Sequence, residues 1–391
     1  MDAHSRGFSW AAVLAGAMLA GCSGIAASDD APPAQESAAD AQGADDAVPV
    51  EAQQAEAPRV ATPVLPDAFP PGFLFGTAIA GFQVEMGCPT LPAAVCEDRA
   101  SDWFQWITTP RIVNNPVLFM SKDPPRAAPG FFELYEADLD RAAYELHNGS
   151  LRLSLEWSRI FPRETFGLEG YDALRSAASA EGLAYYHRVL AAMRARGLTP
   201  LVTLSHYSLP LWIHDGNACN ENLDRCARKG WVDRRIVPEM AKFAGFAARE
   251  FGGEVDLWAT LNEPFSAVTL PGYLTPTETR VNPPGLYLKG DAAKTATAAM
   301  IVAHARMYDA VKAGDIVDAD GNGEAASVGL VYAVTAVAPN VNNRAVAPRR
   351  TRGISSRTCS CGPWPAASWT RDGTARSRRA RTSRGASTGS A

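Results

Sequence analysis

The sequence predicts an α/β fold of the (β/α)8 TIM-barrel type, incomplete, with about five of the eight strands present. Short apolar runs alternate with stretches of helical period from Phe69 onward, the pattern of parallel strands joined by right-handed crossovers. No glycine-rich phosphate fingerprint follows the first run, which weakens the alternative of an open, doubly wound nucleotide-binding sheet. Polar residues of functional type stand just past several strand ends, where a barrel collects its site.

The candidate strands cover residues 73–78, 151–155, 199–204, 257–261 and 328–334. Between them a helix is expected from about residue 132 to 146. In the next, Leu183, Tyr186, Leu190 and Met193 recur at three-to-four spacing before Gly197, a helix stop. Met240, Phe243, Ala247 and Phe251 repeat the pattern before Gly252. The apolar share of 47% and charged share of 20% exclude wholesale disorder and fibrous repeats. No uninterrupted apolar run reaches the ~20 residues of a membrane-spanning helix.

Four regions are expected along the chain. Residues 1–22 read as a lipoprotein-type export signal: Arg6, an apolar run from Phe8 to Ala20, then Leu19-Ala20-Gly21-Cys22, which resembles a bacterial lipobox with Cys22 as the lipidated residue. Residues 23–64, rich in Ala, Asp, Gln and Pro, lack the apolar side chains to fold and read as a solvated tether. Residues 65–343 form the partial barrel domain, and 344–391 an Arg-rich tail. Cysteine use fits an oxidising compartment. Cys88 and Cys96, and Cys219 and Cys226, form two local pairs placed in loops; no His cluster accompanies them and their spacing is wider than a metal knuckle. They read as two small-loop disulfides, each stabilising by roughly 2–3 kcal/mol on the chain-entropy model.

Gln83 lies beyond the first strand in Gly81-Phe82-Gln83-Val84-Glu85, and Arg152 lies inside the second. His206 closes the third, and Asn262-Glu263-Pro264 closes the fourth. Taken singly, each has an ordinary structural explanation as a cap, an ion pair or a satisfied buried group. As neighbours on parallel strands they would gather a carboxyl, amides, an imidazole and aromatics at one mouth. That chemistry suits a sugar, whose hydroxyls need donors and acceptors and whose glycosidic bond is cleaved by an acid and a second carboxylate. Glu263 is the acid candidate, with a nearby carboxylate and partial burial expected to raise its pKa.

On these motifs the chain resembles glycoside hydrolase family 1, the retaining β-glucosidase and β-galactosidase group, from Phe69 to about Asn340. The resemblance rests on Phe69-Pro70-Pro71-Gly72-Phe73-Leu74-Phe75-Gly76-Thr77-Ala78 with Gln83, on Arg152 through Trp157-Ser158-Arg159-Ile160-Phe161-Pro162, on Leu204 to Pro210 and on Thr260 to Pro264. It implies Glu263 as general acid/base, Asn262 as ligand of the substrate 2-hydroxyl, Gln83 and His206 as glycone ligands, and Arg152 as the cation orienting the nucleophile. It also implies a β-linked glycoside or oligosaccharide as substrate and no metal or organic cofactor. Two departures stand out: Tyr207 occupies a position where many members have Trp, and Met86 replaces a usual Gly, beginning the longer Cys88–Cys96 loop. That loop and the Cys219–Cys226 loop follow barrel strands and are expected to rim the aglycone side.

The family's nucleophile is a Glu in a Thr/Ser-Glu-Asn-Gly type motif. The chain has no such motif, and its last Glu is Glu324. At about 65 residues per strand-to-strand step, three more strands would need roughly 200 residues; 57 follow Val334. Residues 344–391 carry 11 Arg, no Lys and one acid, Asp372, hence +10 in a chain of net charge −5, leaving −15 on the first 343 residues. The tail fits an arm for nucleic acid or another anionic polymer (the former seldom met by an exported lipoprotein), an anchor to an acidic envelope polymer, or translation out of frame after an interruption near codon 343; the last accounts together for the missing strands, nucleophile and abrupt change in composition. The expectation is thus a β-glycosidase lineage whose present product is inactive, the alternatives being a non-catalytic glycan-binding lipoprotein or a non-functional truncated product. Its location is expected to be the bacterial cell envelope, membrane-anchored through lipid, with no nucleic-acid partner.

Overall fold

A computed structural model describes residues 69–274 and 281–334. The expected export signal with Cys22, the tether and the Arg-rich tail lie outside the described residues. Among the described residues five strands, β1 (Gly76–Ala78), β2 (Ser150–Ser154), β3 (Thr199–Ser205), β4 (Leu257–Asn262) and β5 (Ser327–Val331), form one sheet in the order β1-β2-β3-β4-β5. Every neighbouring pair is parallel. Sequential parallel strands with crossover helices are the arc of a (β/α) barrel.

The crossovers are α1 (Phe131–Asp140), α2 (Ala180–Ala195), α3 (Ile236–Phe251) and α4 (Gly290–Gly314). Leu183, Tyr186, Leu190 and Met193 of α2 are buried, as are Met240, Phe243, Ala247 and Phe251 of α3. They join Leu151, Leu153, Val202 and Leu204 from the sheet in one core. Strand side chains alternate between faces, so Arg152 and Ser154, in register with Leu201 and Thr203, occupy the face opposite that apolar set. Residues of one face build the core; residues of the other reach the site.

Three expectations on element boundaries are corrected. β1 covers only Gly76–Ala78, because Phe73 N–H turns back to the Pro70 carbonyl (3.1 Å) and Phe69, Phe73 and Phe75 pack on one another instead, with centroids 4.6–5.0 Å apart. Gly76 is required where β1 meets β2: a Cβ there would stand 2.3 Å from the Ser150 carbonyl oxygen. β5 stops at Val331, and the helix expected to reach residue 146 passes after Asp140 into a π-helical turn, Arg141–Glu145. Both cysteine pairs are bonded, Cys88–Cys96 and Cys219–Cys226. The loops are not wholly irregular: Cys96 ends the short helix Ala93–Cys96, and Cys219 lies within Gly216–Glu221, which Asp215 caps through Ala218 N–H (3.0 Å).

Candidate active site at the strand ends

β4 delivers the amide and the carboxyl. The ladder shifts register between Ala259 and Asn262, a bulge that re-aims the side chains at the strand end. Glu263 follows with φ of 43°, in the left-handed region that a non-glycine residue rarely occupies. Its N–H donates to the Val331 carbonyl of β5 (2.8 Å), and its own carbonyl accepts from Ala267 N–H (3.0 Å) at the start of the π-helix Pro264–Leu274. The Glu263 backbone is therefore held from both sides, by the neighbouring strand and by the helix that follows.

Asn262 is the hub. It is 3% exposed, and its Oδ1 accepts from Arg152 Nη2 (3.0 Å). Its Nδ2 donates to the Tyr207 hydroxyl (2.6 Å) and faces His206 Nε2 (3.3 Å). Arg152 reaches the hub from β2; His206 and Tyr207 reach it from the end of β3, Tyr207 with φ of 80°. Burial lowers the Arg152 pKa from its usual value, against the raising influence of Tyr207 and Glu263 nearby. Burial, then the Arg152 charge, depress His206 to about 3, so the imidazole is neutral. The neutral ring matches its geometry, with Nε2 facing an amide donor.

Four of the expected site residues, Arg152, His206, Asn262 and Glu263, are thus brought to the same strand ends. Gln83 is not bonded into this web: it stands exposed on the short helix Gly81–Val84 beyond β1. The carboxylate expected beside Glu263 is also not what its contacts show. Its side chain accepts from Ser266 Oγ (3.1 Å), and the charged group acting across from it is Arg152.

Behind the web lies a buried charge network that single-residue reading missed. Arg159 donates to Glu85 (2.8 Å) and to the Cys96 carbonyl (3.0 Å), and its guanidinium lies 4.5 Å from the Phe132 ring centroid. Tyr186 donates to Glu85 (3.0 Å) while accepting the Glu156 N–H (2.8 Å). Glu156 accepts from Ser154 (2.9 Å) and from Ser208, and Asp98 accepts from Ser158 (2.6 Å). Burial first, then the Glu85 carboxylate, push Glu156 up to about 8; burial also raises Glu85 and Asp98. The available signal was acids and an arginine embedded among apolar residues, in Val84-Glu85-Met86 and Leu155-Glu156-Trp157-Ser158-Arg159. At the opposite, amino-terminal ends of β4 and β5, Asp256, Asp318 and Asp320 bring carboxylate oxygens within 4.8 Å of one another. Such oxygens are the donor type hard cations take, but they lie away from the web.

A parallel sheet whose bulged and left-handed strand ends converge on one polar hub defines the strand-end site of the barrel class. Residues 65–352 match Glycosyl hydrolase family 1, and the chain belongs to that family. The β-galactosidase of Pyrococcus woesei is 36% identical over 285 residues, 68% of this chain and 54% of that protein. The crystal structure of Fpglu1 from Fervidobacterium pennivoraus superimposes with a TM-score of 0.62 at 31% identity, covering 71% of this chain and 57% of that one. The β-glycosidase of Thermosphaera aggregans gives 0.60 at 31% identity, covering 68% and 55%. The chain spans about half the length of these relatives. Family 1 proteins are (β/α)8 barrels, so the five strands form part of such a barrel.

Proposed function

We propose that the strand-end web is the glycone side of a β-glycosidase site, with Glu263 as general acid/base. The observation that carries this reading is Asn262 bonded to Arg152 and Tyr207 and facing His206, next to Glu263. In that reading Asn262 and His206 meet sugar hydroxyls, Arg152 supplies positive charge beside the reacting centre, and Glu263 protonates the departing oxygen. Gln83 belongs to the glycone set if a bound sugar draws it in. The two disulfide loops shape the aglycone side.

Retaining hydrolysis needs a second carboxylate about 5–5.5 Å from the acid. Among the described residues, Glu263 is the carboxylate joined to the web through the Arg152 field. Glu85 and Glu156 are enclosed with Arg159, and Glu324 pairs with Lys312 (2.7 Å). The reading is therefore binding of a β-glycoside with little or no cleavage by the 391-residue chain. Purified protein assayed with an aryl β-glucoside should run at the buffer rate; turnover abolished by Glu263→Gln would refute inactivity. Calorimetry with glucose or cellobiose should show heat of binding, weakened in Arg152→Met; absence of binding in wild type would remove the sugar site itself. The Leu19-Ala20-Gly21-Cys22 sequence supports export and lipid anchoring through Cys22 at the cell envelope. Radiolabelled fatty acid appearing on wild type but not on Cys22→Ser is the expected result.

A further inference from the structure

An asparagine side chain has two N–H donors and a carbonyl oxygen with two lone pairs. In Asn262 one N–H goes to the Tyr207 hydroxyl (2.6 Å), the other side of Nδ2 faces His206 Nε2 (3.3 Å), and Arg152 occupies one lone pair of Oδ1 (3.0 Å). The amide nitrogen is thus committed to protein partners, and the remaining capacity lies on Oδ1. Tyr207 makes this arrangement rigid. Its ring lies against Trp103, with centroids 6.2 Å apart and planes at 28°, and Trp103 packs with Phe82 and Met86. Its backbone is left-handed, and the next residue, Ser208, donates to the buried Glu156 carboxylate. Tryptophan at this position would offer only an N–H donor, so it could not accept the Asn262 proton.

We propose that Tyr207 is a positioning and specificity residue: its hydroxyl holds the Asn262 amide with the nitrogen turned inward, so the site offers a sugar an acceptor rather than a donor at that point. The proposal rests on the sugar-site reading and sets the polarity of one contact within it. The 2-hydroxyl that Asn262 is expected to meet must then donate its proton to Oδ1. Fluorine at that carbon accepts weakly and cannot donate, so it should serve no better than hydrogen.

Two measurements on the full chain decide the matter. The first needs no sugar: hydrogen exchange of the Asn262 side-chain amide, identified in nitrogen-15 spectra by its loss in Asn262→Asp, and by its shift in Arg152→Met should Asn262→Asp fail to fold. Exchange should be slow in wild type and about tenfold faster in both Tyr207→Phe and Tyr207→Trp. Both variants keep a ring for Trp103 to pack on, so a purely packing role would leave exchange unchanged, and that result overturns the proposal. The second compares glucose, 2-deoxyglucose and 2-deoxy-2-fluoroglucose by calorimetry. The two analogues should bind wild type equally, each about tenfold more weakly than glucose, and Tyr207→Phe should narrow the gap for the fluoro sugar. A fluoro sugar that binds wild type as well as glucose overturns the acceptor-only polarity. If none of the three sugars binds wild type, the sugar-site reading falls, while the exchange measurement still decides the role of Tyr207.

Discussion

At His206 burial and the neighbouring guanidinium act in the same direction, and together they bring its pKa to about 3 from an ordinary 6.5. Between those values the unfolded imidazole binds a proton that the folded one does not, so stability rises with pH across that window and is lost on acidification towards 3. Proton NMR of the ring should show it neutral at pH 5, and in Arg152→Met the midpoint should move upward because the charge contribution is removed. An unchanged midpoint would assign the whole depression to burial. His206, Asn262 and Glu263 stood out as candidates in the sequence because they close apolar runs on parallel strands, and Arg152 because it interrupts one from inside. Tyr207 was legible only as a departure from the family pattern. Its bond to Asn262 depends on a left-handed backbone that a one-dimensional reading does not reveal.

Among the elements, the ends of β2 and β3 are tied together through the buried acids, since Glu156 accepts from Ser154 at the end of β2 and Ser208 just past β3. Here the pH sign is opposite to that of His206. The folded Glu156 keeps its proton up to about 8 against an ordinary 4.5, so the native state binds more protons in that interval and stability falls as pH rises through it. Thermal midpoints should therefore decline from about pH 6 to 8, and Glu156→Gln should flatten the decline; an equally steep profile in the variant would place the effect on Glu85 or Asp98. The disulfide elements behave more simply. Reduction of either small loop should cost about 2–3 kcal/mol, read as a lower urea midpoint with dithiothreitol, and serine replacement of Cys219 and Cys226 should reproduce its share. Strands β2, β3 and β4 were legible almost to the residue because each is an apolar run buried on its helix-facing side. The shortened β1 and the π-helical turn after α1 were not: one depends on where β2 begins, the other on packing rather than periodicity.

At the scale of the whole sheet, the arc of five strands among the described residues has β1 and β5 as its outermost members. Beside β1, Phe69, Phe73 and Phe75 are 61%, 50% and 55% exposed; on and beyond β5, Leu330 and Val334 are 40% and 87% exposed. Parallel edges with apolar flanks are templates for further pairing. Light scattering should rise with protein concentration, and Leu330→Lys together with Val334→Lys should suppress it; scattering unaffected by these charges would direct attention to the Phe69 cluster. The barrel class was legible from strand–helix alternation, whereas the exposure of particular edge side chains is a property of the assembled sheet. The bond from Glu263 N–H to the Val331 carbonyl means that the acid leans on the last strand of that sheet. A mechanical load applied past Val331 would peel β5 from β4 and loosen Glu263 before disturbing the Arg152–Asn262 contact, so under force Glu263 would lose its footing while the Asn262 hub still stood.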